Sequence, residues 1–275
     1  MATAREMNNL LLLWDDAVTQ IDGVTIEAAS AAVSGFAAEN LLDTSRQTCL
    51  KFSGSGDDIH VGFDLGAAYT IKGFGLHNHS IATADVSVMD IRYDAATYAG
   101  STPYGVTFGP AETGDDDFVC MFSAGISSRY WWFGFDSVAS AALYIGRIFL
   151  ARQAYDYTEG ILSPGLKGYM HVEDILETKG GIEHRISRGS LRKRMTFMLP
   201  PLTSDPARAQ IVSLIEHVEL NHRAFVTSWP YATTEYTGIS RYGLGVHARF
   251  VDAEWTYECL VAGKSRIPLN LVEVL

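Results

Sequence analysis

The sequence is poor in cysteine and in charged residues for its length. Its 275 residues include only three cysteines, which are widely spaced and form no CxxC pair: Cys49, Cys120 and Cys259. An odd number at this spacing predicts neither a disulfide framework nor a zinc site, and it favours reduced thiols in a reducing compartment. Charged residues make up 19% of the chain, against 11% aromatics and 25 glycines. This balance favours strands and turns over solvated helices.

Positive charge is scarcest in the first part of the chain. Residues 1–155 hold 8 Lys or Arg against 18 Asp or Glu, whereas residues 156–275 hold 13 against 14. The net charge of −11 therefore lies almost entirely in the first part. Because phosphate binding needs clustered cations, nucleic acid is not a predicted partner.

Long hydrophobic runs are also missing. The apolar run nearest the N-terminus, Leu10–Trp14, follows Glu6 and two asparagines. A membrane span needs about 20 apolar residues and the core of a signal peptide about 7–15. The sequence therefore predicts neither a membrane span nor a signal peptide.

The usual catalytic motifs are absent as well. There is no HExxH or GxSxG, and the glycine-rich segment Ser53–Gly56 lies between predicted strands without a following Lys-Ser or Lys-Thr. We expect no cofactor and no enzymatic activity. A carboxylate pair for glycoside hydrolysis stays open, because the separation of two such groups is a property of the fold.

What the sequence does contain is a series of short β-type segments. In the first half, Ile59, Val61 and Phe63 alternate with other residues, so they share one face of a strand. A turn at Asp64–Gly66 separates this strand from a second one, Tyr69–Leu76, which is predicted to be buried on both sides in its middle. Further strands are predicted at residues 85–93, 118–122, 129–135 and 143–150. Between them, Thr97–Asp117 is dense in turn residues and predicts a surface loop or hairpin excursion.

The second half mixes strands with one helix. Ser204-Asp205-Pro206 supplies a capping residue and a first-turn proline, and the apolar residues that follow have helical spacing. The prediction is a mainly β protein with a domain at 1–152, a linker at 153–168, and a β-sandwich or α+β domain at 169–275 with a helix at about 206–221.

Two segments are candidate metal sites, and each has a structural alternative. His77-Asn78-His79 places two imidazoles at the end of a strand, or it ties a loop through hydrogen bonds. Asp115–Asp117 offers carboxylates of the kind that bind Ca²⁺, or it is a solvated loop tip without the ligand alternation of an EF-hand. No metal site is predicted.

One basic cluster stands out in the second half. It consists of Arg188, Arg192, Lys193 and Arg194, with Arg185 nearby. On a strand, Arg192 and Arg194 point to one side and Lys193 to the other. The cluster is either a solvated face or an assembly patch that docks against an acidic surface such as the first half of a neighbouring copy.

The order of the first-half segments resembles a known fold. The segments are Glu39–Asp43, Phe63–Gly66, Tyr69–Ile71, Gly75–His79, Arg129–Phe133 and Ile145–Leu150. Together they resemble the discoidin-like jelly roll of the galactose-binding-domain superfamily, in the version found in bacteriophage tail proteins. In this resemblance, Arg129–Phe133 corresponds to the strand that carries an arginine into the core. The second half resembles, by its order of elements, the sandwich-plus-helix domain of phage distal tail or tail-hub proteins.

The resemblance implies a structural component of a phage tail tip or baseplate. Such a protein would form a homo-oligomeric ring, bind other tail or baseplate proteins, and be located in the virion tail after assembly in the host cytoplasm. The alternative is a carbohydrate-binding module for host-surface recognition, which needs exposed aromatic side chains on the jelly-roll loops; Tyr98, Tyr104 and Phe108 are the candidates. A glycan-processing enzyme is disfavoured, because the second half is small and lacks a catalytic constellation.

Overall fold

A computed structural model describes most of the first half of the chain and shorter segments of the second. The described residues are 10–43, 48–56, 59–109, 113, 117–139, 143–157, 166–170, 173–177, 183–187, 192–199, 205–219, 223–228, 231–232, 239–244, 246–250, 258–261 and 264–273. The chain divides into two compact units. Unit 1 comprises Met1–Thr158 and Ala224–His247, and unit 2 comprises Glu159–Arg223 and Ala248–Leu275. The domain boundaries expected at 152 and 169 stay a prediction.

Unit 1 is built almost entirely of strands. They are β1 (Leu10–Asp16), β2 (Thr25–Ala29), β3 (Leu50–Lys51), β4 (Ile59–His79), β5 (Val88–Tyr93), β6 (Thr102–Phe108), β7 (Phe118–Asp136), β8 (Tyr144–Tyr157), β13 (Ala224–Ser228), β14 (Tyr231–Ala232) and β15 (Ile239–Leu244). A short helix α1 (Ala17–Gln20) and a 3₁₀ turn (Ala38–Leu42) connect them.

Unit 2 holds shorter strands and one longer helix. The elements are β9 (Leu166–Met170), β10 (Glu173–Glu177), β11 (Glu183–Ser187), β12 (Arg192–Leu199), α2 (Asp205–Glu219), β17 (Glu258–Val261) and β18 (Lys264–Glu273). Strand β16 (Val246–Phe250) leaves unit 1 after His247 and continues in unit 2. Within unit 2, β18 pairs with β12, β16 and β17, β12 also pairs with β9, and β10 and β11 form a separate hairpin.

Two long antiparallel strands, β4 and β7, organise unit 1. They pair from Ile59↔Phe135 to Leu76↔Phe118, with a register shift between Asp64 and Tyr69. The first half of β4 also pairs with β2, and the facing part of β7 pairs with β5, which pairs with β6. The second half of β4 pairs with β8, which continues through β1 to β13. Both halves contribute to one large buried cluster of apolar side chains, as in a β-sandwich.

The segment Asp64–Gly66 is a bend inside β4, and the expectation of two separate strands is wrong. Gly66 has a φ of 76°, and its N–H donates to Asp64 Oδ1 over 2.7 Å. A positive φ of this kind suits glycine and allows a strand to bulge and bend without ending. One strand therefore serves both halves of the sandwich.

Burial follows the predicted alternation. Ile59, Val61 and Phe63 are all buried on the inner face. The middle of the second half of β4 is buried on both faces, as predicted, because a second apolar cluster that includes Leu13, Phe149 and Phe225 covers its outer side. The predicted fold class, mainly β with a jelly-roll-type sandwich and a helix in the second half, is confirmed. Helix α2 begins one residue before the predicted start and ends two residues before the predicted end.

The arginine that enters the core is not the expected one. The side chain of Arg129 is 46% exposed and pairs with Asp64. The buried arginine is Arg147 on β8, whose side chain is 8% exposed and donates to Asp16 on β1 over 2.8 Å. The segment Arg129–Phe133 starts outside the core because Arg129 lies in the exposed middle of β7, between the buried stretches 118–122 and 131–135.

Candidate ligand-binding site

A row of chemically distinctive side chains lies on the outer face of the β4–β7–β5 sheet. Side chains alternate between the two faces of a strand. Since Val61, Trp131 and Ile91 point into the core, the residues next to them in sequence lie on the outer face. His60 on β4 and Asp90 on β5 both lie opposite Gly134 of β7. In the next row, Gly62 and Arg92 lie opposite Trp132. The strand register thus brings His60, Arg92, Asp90 and Trp132 together.

Two glycines make room for aromatic rings on this face. A Cβ at Gly62 would overlap the indole ring of Trp132. A Cβ at Gly134 would overlap the Tyr98 hydroxyl and the Asp90 carboxylate. Glycine at these two positions therefore lets Trp132, and the loop residue Tyr98, lie close against the sheet.

Hydrogen bonds fix the loop between β5 and β6 over the sheet. The Tyr98 hydroxyl donates to Asp90 Oδ1 over 2.8 Å, and Arg92 Nε donates to Asp90 Oδ2 over 2.6 Å. The indole N–H of Trp132 donates to the carbonyl of Ala95 over 2.8 Å. Both Asp90 oxygens are thus engaged by neighbours, and the loop is held at two points.

The rings form a compact stack around Tyr98. The His60 and Tyr98 rings are parallel, with centroids 4.5 Å apart. Trp132 meets both edge-on, at 5.8 Å from His60 and 6.1 Å from Tyr98. The guanidinium carbon of Arg92 lies 4.3 Å from the centroid of Tyr98. These are favourable aromatic and cation–π geometries, so the group is rigid before any ligand arrives.

An open cavity of about 600 Å³ adjoins this stack, a size typical of small-ligand sites. It is lined by His60, Arg92, Ala96, Thr97, Tyr98, Ala99 and Trp132. Among these described lining residues there is no Asp or Glu, and Arg92 is the one permanent charge. Its side chain is 25% exposed.

Tyr98 and Arg92 each keep one charge state across the physiological range. Burial, and next the hydrogen bond to Asp90, raises the pKa of Tyr98 well above its usual range, so the phenol stays neutral. Burial acts to lower the pKa of Arg92, but the hydrogen bond and the charge of Asp90 raise it overall. The cavity therefore presents a fixed cation next to the neutral phenol of Tyr98.

The three predicted glycan-contact aromatics have different positions. Tyr98 lines the cavity but is only 8% exposed, and Tyr104 is half-buried beside Tyr93 and Phe122. Phe108 is 1% exposed and packs against Phe74 and Phe118 in the core, so the expectation that it is an exposed loop residue is wrong. It lies on β6, and the pairing of β6 with β5 turns it inward. The glycan-contact role of Tyr98 and Tyr104 stays a prediction.

The sequence predictions omitted His60, Arg92 and Trp132. His60 and Trp132 occupy outward positions of strands whose inward residues are apolar, which was a usable signal. Glycines in mid-strand at Gly62 and Gly134 were a second one, because such glycines mark a close approach by another group. The cross-strand register that joins them was not readable from local pattern.

The candidate metal segments form a hydrogen-bonded group. His77 Nδ1 lies 2.7 Å from Asp117 Oδ1, and the backbone N–H groups of Asn78 and His247 also donate to Asp117. Burial acts to raise the pKa of Asp117, but these hydrogen bonds and His77 lower it overall. No group of three His, Cys, Asp or Glu side chains suited to a metal occurs within the described residues. Asp115 and Asp116 lie outside them.

The predicted assembly patch is only partly described. Arg192, Lys193 and Arg194 begin β12 and pair with β9, whereas Arg188 lies outside the described residues. Its assembly role stays a prediction. In the part of the chain that the structure describes, neither helix has the length and hydrophobicity needed to cross a bilayer.

Comparisons with known proteins find similarity only to solved structures. No protein-family model and no curated protein matches the sequence. Among solved structures, a CBM32 module of a family 31 glycoside hydrolase from Clostridium perfringens is similar at 14% identity and TM-score 0.41, covering 48% of this chain and 95% of its own. The family 32 module of C. perfringens NanJ, in complex with galactose, is similar at 10% identity and TM-score 0.40, covering 52% of this chain and 99% of its own. A chitosan-binding module from Paenibacillus sp. IK-5 is similar at 20% identity and TM-score 0.39, covering 51% of this chain and 98% of its own.

Proposed function

We propose that unit 1 binds a glycan in the cavity beside Tyr98. The observation that carries the proposal is the composition of the cavity wall. The wall contains the stacked rings of His60 and Tyr98 and the edge of Trp132, and beside them lies one permanently charged group, the guanidinium of Arg92. A sugar ring has apolar C–H faces and a polar rim, so a wall of this kind complements both parts.

The site is also preorganised for binding. Asp90 holds Arg92 and Tyr98 in place through both of its oxygens, and Trp132 is held by Ala95. Side chains that are already fixed lose little conformational entropy when a ligand binds. Glycan binding is the alternative that the sequence left open, and it needs no catalytic group.

A glycan array followed by titration calorimetry tests the proposal. We expect the protein to retain at least one glycan class, and His60→Ala and Arg92→Gln to weaken that binding by at least about tenfold, which is about 1.4 kcal/mol. Arg129→Gln is the matched control, because Arg129 also pairs with an aspartate of unit 1 but does not line the cavity. The absence of any binding on the array, or equal affinity in all variants, would refute the proposal.

We further propose, as a second function, a structural role in a phage tail tip or baseplate, with the protein located in the virion tail after assembly in the host cytoplasm. The path of the chain favours it. The chain passes between the two units three times, after Thr158, Arg223 and His247, and the returning segment supplies β13 and β15 to the sheet of unit 1. A detachable binding module needs one connection, whereas a chain that crosses between its units three times suits a protein that transmits load within an assembly.

The assembly proposal is tested on purified protein and on particles. We expect a homo-oligomer in light scattering after size exclusion, and antibody label at the tail end in electron microscopy. A monomer at all concentrations, together with particles that lack the protein, would exclude this role and leave the glycan proposal untouched.

A further inference from the structure

We infer that the glycan bound beside Tyr98 is acidic, and that the terminal nitrogens of Arg92 hold a carboxylate of the sugar. This inference rests on the proposed glycan-binding function and names the ligand class of the same cavity. It starts from the hydrogen-bonding capacity that the cavity leaves for a ligand.

Arg92 is anchored by Asp90 and Tyr98. Its Nε donates to Asp90 Oδ2 over 2.6 Å, its guanidinium lies over the ring of Tyr98, and a hydrogen bond to the Tyr98 side chain also contributes to its raised pKa. Among the described residues, Asp90 is the one carboxylate that pairs with it. A guanidinium has five N–H donors in a planar fork, so its terminal nitrogens can meet a carboxylate with two parallel hydrogen bonds.

The cavity wall offers no anionic acceptor to match. No carboxylate lines the cavity among the described residues, and the two oxygens of Asp90, which is not a lining residue, already accept from Tyr98 and Arg92. A neutral sugar presents hydroxyl groups that must donate as well as accept. A carboxylate only accepts, so an acidic sugar fits a wall whose fixed polar group is a donor.

Long-range electrostatics do not explain this preference. Residues 1–155 carry 18 acidic against 8 basic side chains, so the field of the surrounding surface repels anions. Recognition of an anion must therefore come from direct contact with Arg92. Partial burial of the guanidinium limits solvent screening and strengthens that contact.

The test compares two sugars that differ in one group. Galacturonate oligosaccharides and their carboxyl-reduced galactose counterparts are titrated into the full-length protein by calorimetry. We expect the acid to bind at least about tenfold more tightly. Arg92→Gln should remove that difference, and Arg92→Lys, which keeps the charge but loses the fork, should restore only part of it.

A variant at the rim keeps the test valid if Arg92 is needed for folding. Ala96 is exposed at the cavity edge, so Ala96→Glu adds a negative charge without disturbing the core. It should weaken the acid at least about tenfold and the neutral sugar little. Arg129→Gln, away from the cavity, should change neither.

The outcomes separate the two proposals. Equal affinity for acid and neutral sugar, both weakened by His60→Ala, would overturn the acidic-ligand inference and leave glycan binding intact. If the galacturonate pair does not bind, a second pair, glucuronate and its reduced form, is titrated. Failure of both acids while the array detects only neutral glycans overturns the inference, and failure of every glycan on the array overturns the proposed function itself.

Discussion

The buried ion pair between Asp16 and Arg147 gives a stability prediction with a definite magnitude. Asp16 is fully buried at the end of β1, and its carboxylate accepts hydrogen bonds from four groups. These are the Val18 N–H at 3.1 Å, the Thr19 hydroxyl at 2.8 Å, the Leu150 N–H at 3.1 Å and the Arg147 guanidinium at 2.8 Å. One carboxylate thus caps α1 and ties it to β8.

The change Asp16→Ala removes the carboxylate and leaves a buried guanidinium. Breaking a buried pair by deleting one partner costs about 3–5 kcal/mol, because the remaining charge has lost its counterion inside the protein. Loss of the helix cap alone would lower the free energy of unfolding by about 1 kcal/mol. The two effects arise from one side chain, so they do not simply add. We therefore expect a decrease of about 3–5 kcal/mol in the free energy of unfolding.

Urea unfolding followed by tryptophan fluorescence and far-UV circular dichroism measures this loss. With a slope of about 2–3 kcal/mol per molar urea, the midpoint of the unit 1 transition should fall by roughly 1–2.5 M. Arg129→Gln breaks the exposed pair with Asp64 and should shift the midpoint much less. A loss below about 1 kcal/mol for Asp16→Ala would refute the reasoning, because the buried pair would then contribute no more than a surface pair.

Three further predictions follow from the site and its surroundings. Gly134→Ala should weaken glycan binding at least about tenfold, because the new Cβ would overlap the Tyr98 hydroxyl over the sheet. Gly54→Ala is the control and should leave binding unchanged, because the space around Gly54 is open. Calorimetry measures both affinities. The pKa of Asp117 is lower in the folded protein than in the unfolded chain, so its carboxylate stabilises the fold above the unfolded pKa, and this stability is lost as the pH falls below about 4. Asp117→Asn should therefore make the free energy of unfolding depend less on pH in this acid range. An unchanged pH dependence in urea titrations would contradict this. Ile91→Ala should cost about 2–5 kcal/mol of stability, whereas its neighbour Arg92→Gln should mainly affect binding.

Local sequence pattern predicted the inner face of unit 1 but not the outer one. The alternation of Ile59, Val61 and Phe63 identified buried positions correctly, because a period of two is a property of neighbouring residues. The bend at Gly66 was predicted as a strand end, since a positive-φ glycine looks the same in a turn and in a bulge. Local signals thus located the irregularity without identifying its type.

Phe108 shows how a composition argument fails. The surrounding loop is rich in glycine and proline, which predicted exposure, but β6 pairs with β5 and directs this ring into the core. Strand pairing with a distant segment overrode the local signal. The same limit applies to Arg129, which is exposed because it lies between the two buried stretches of β7.

The candidate site depends on pairings between residues that are far apart in sequence. His60 and Trp132 become neighbours because β4 and β7 pair in one register, and a one-residue shift of either strand would turn its own outward residue into the core. The inner residues Val61, Phe63 and Phe133 disfavour such a shift, because a one-residue slip would turn buried apolar side chains out of the core. The hydrophobic core therefore does more than stabilise unit 1, since it also sets which outward side chains meet. Substitutions on the outer face can then alter ligand binding without unfolding the sandwich, whereas a register-shifting change in the core would remove stability and the site together.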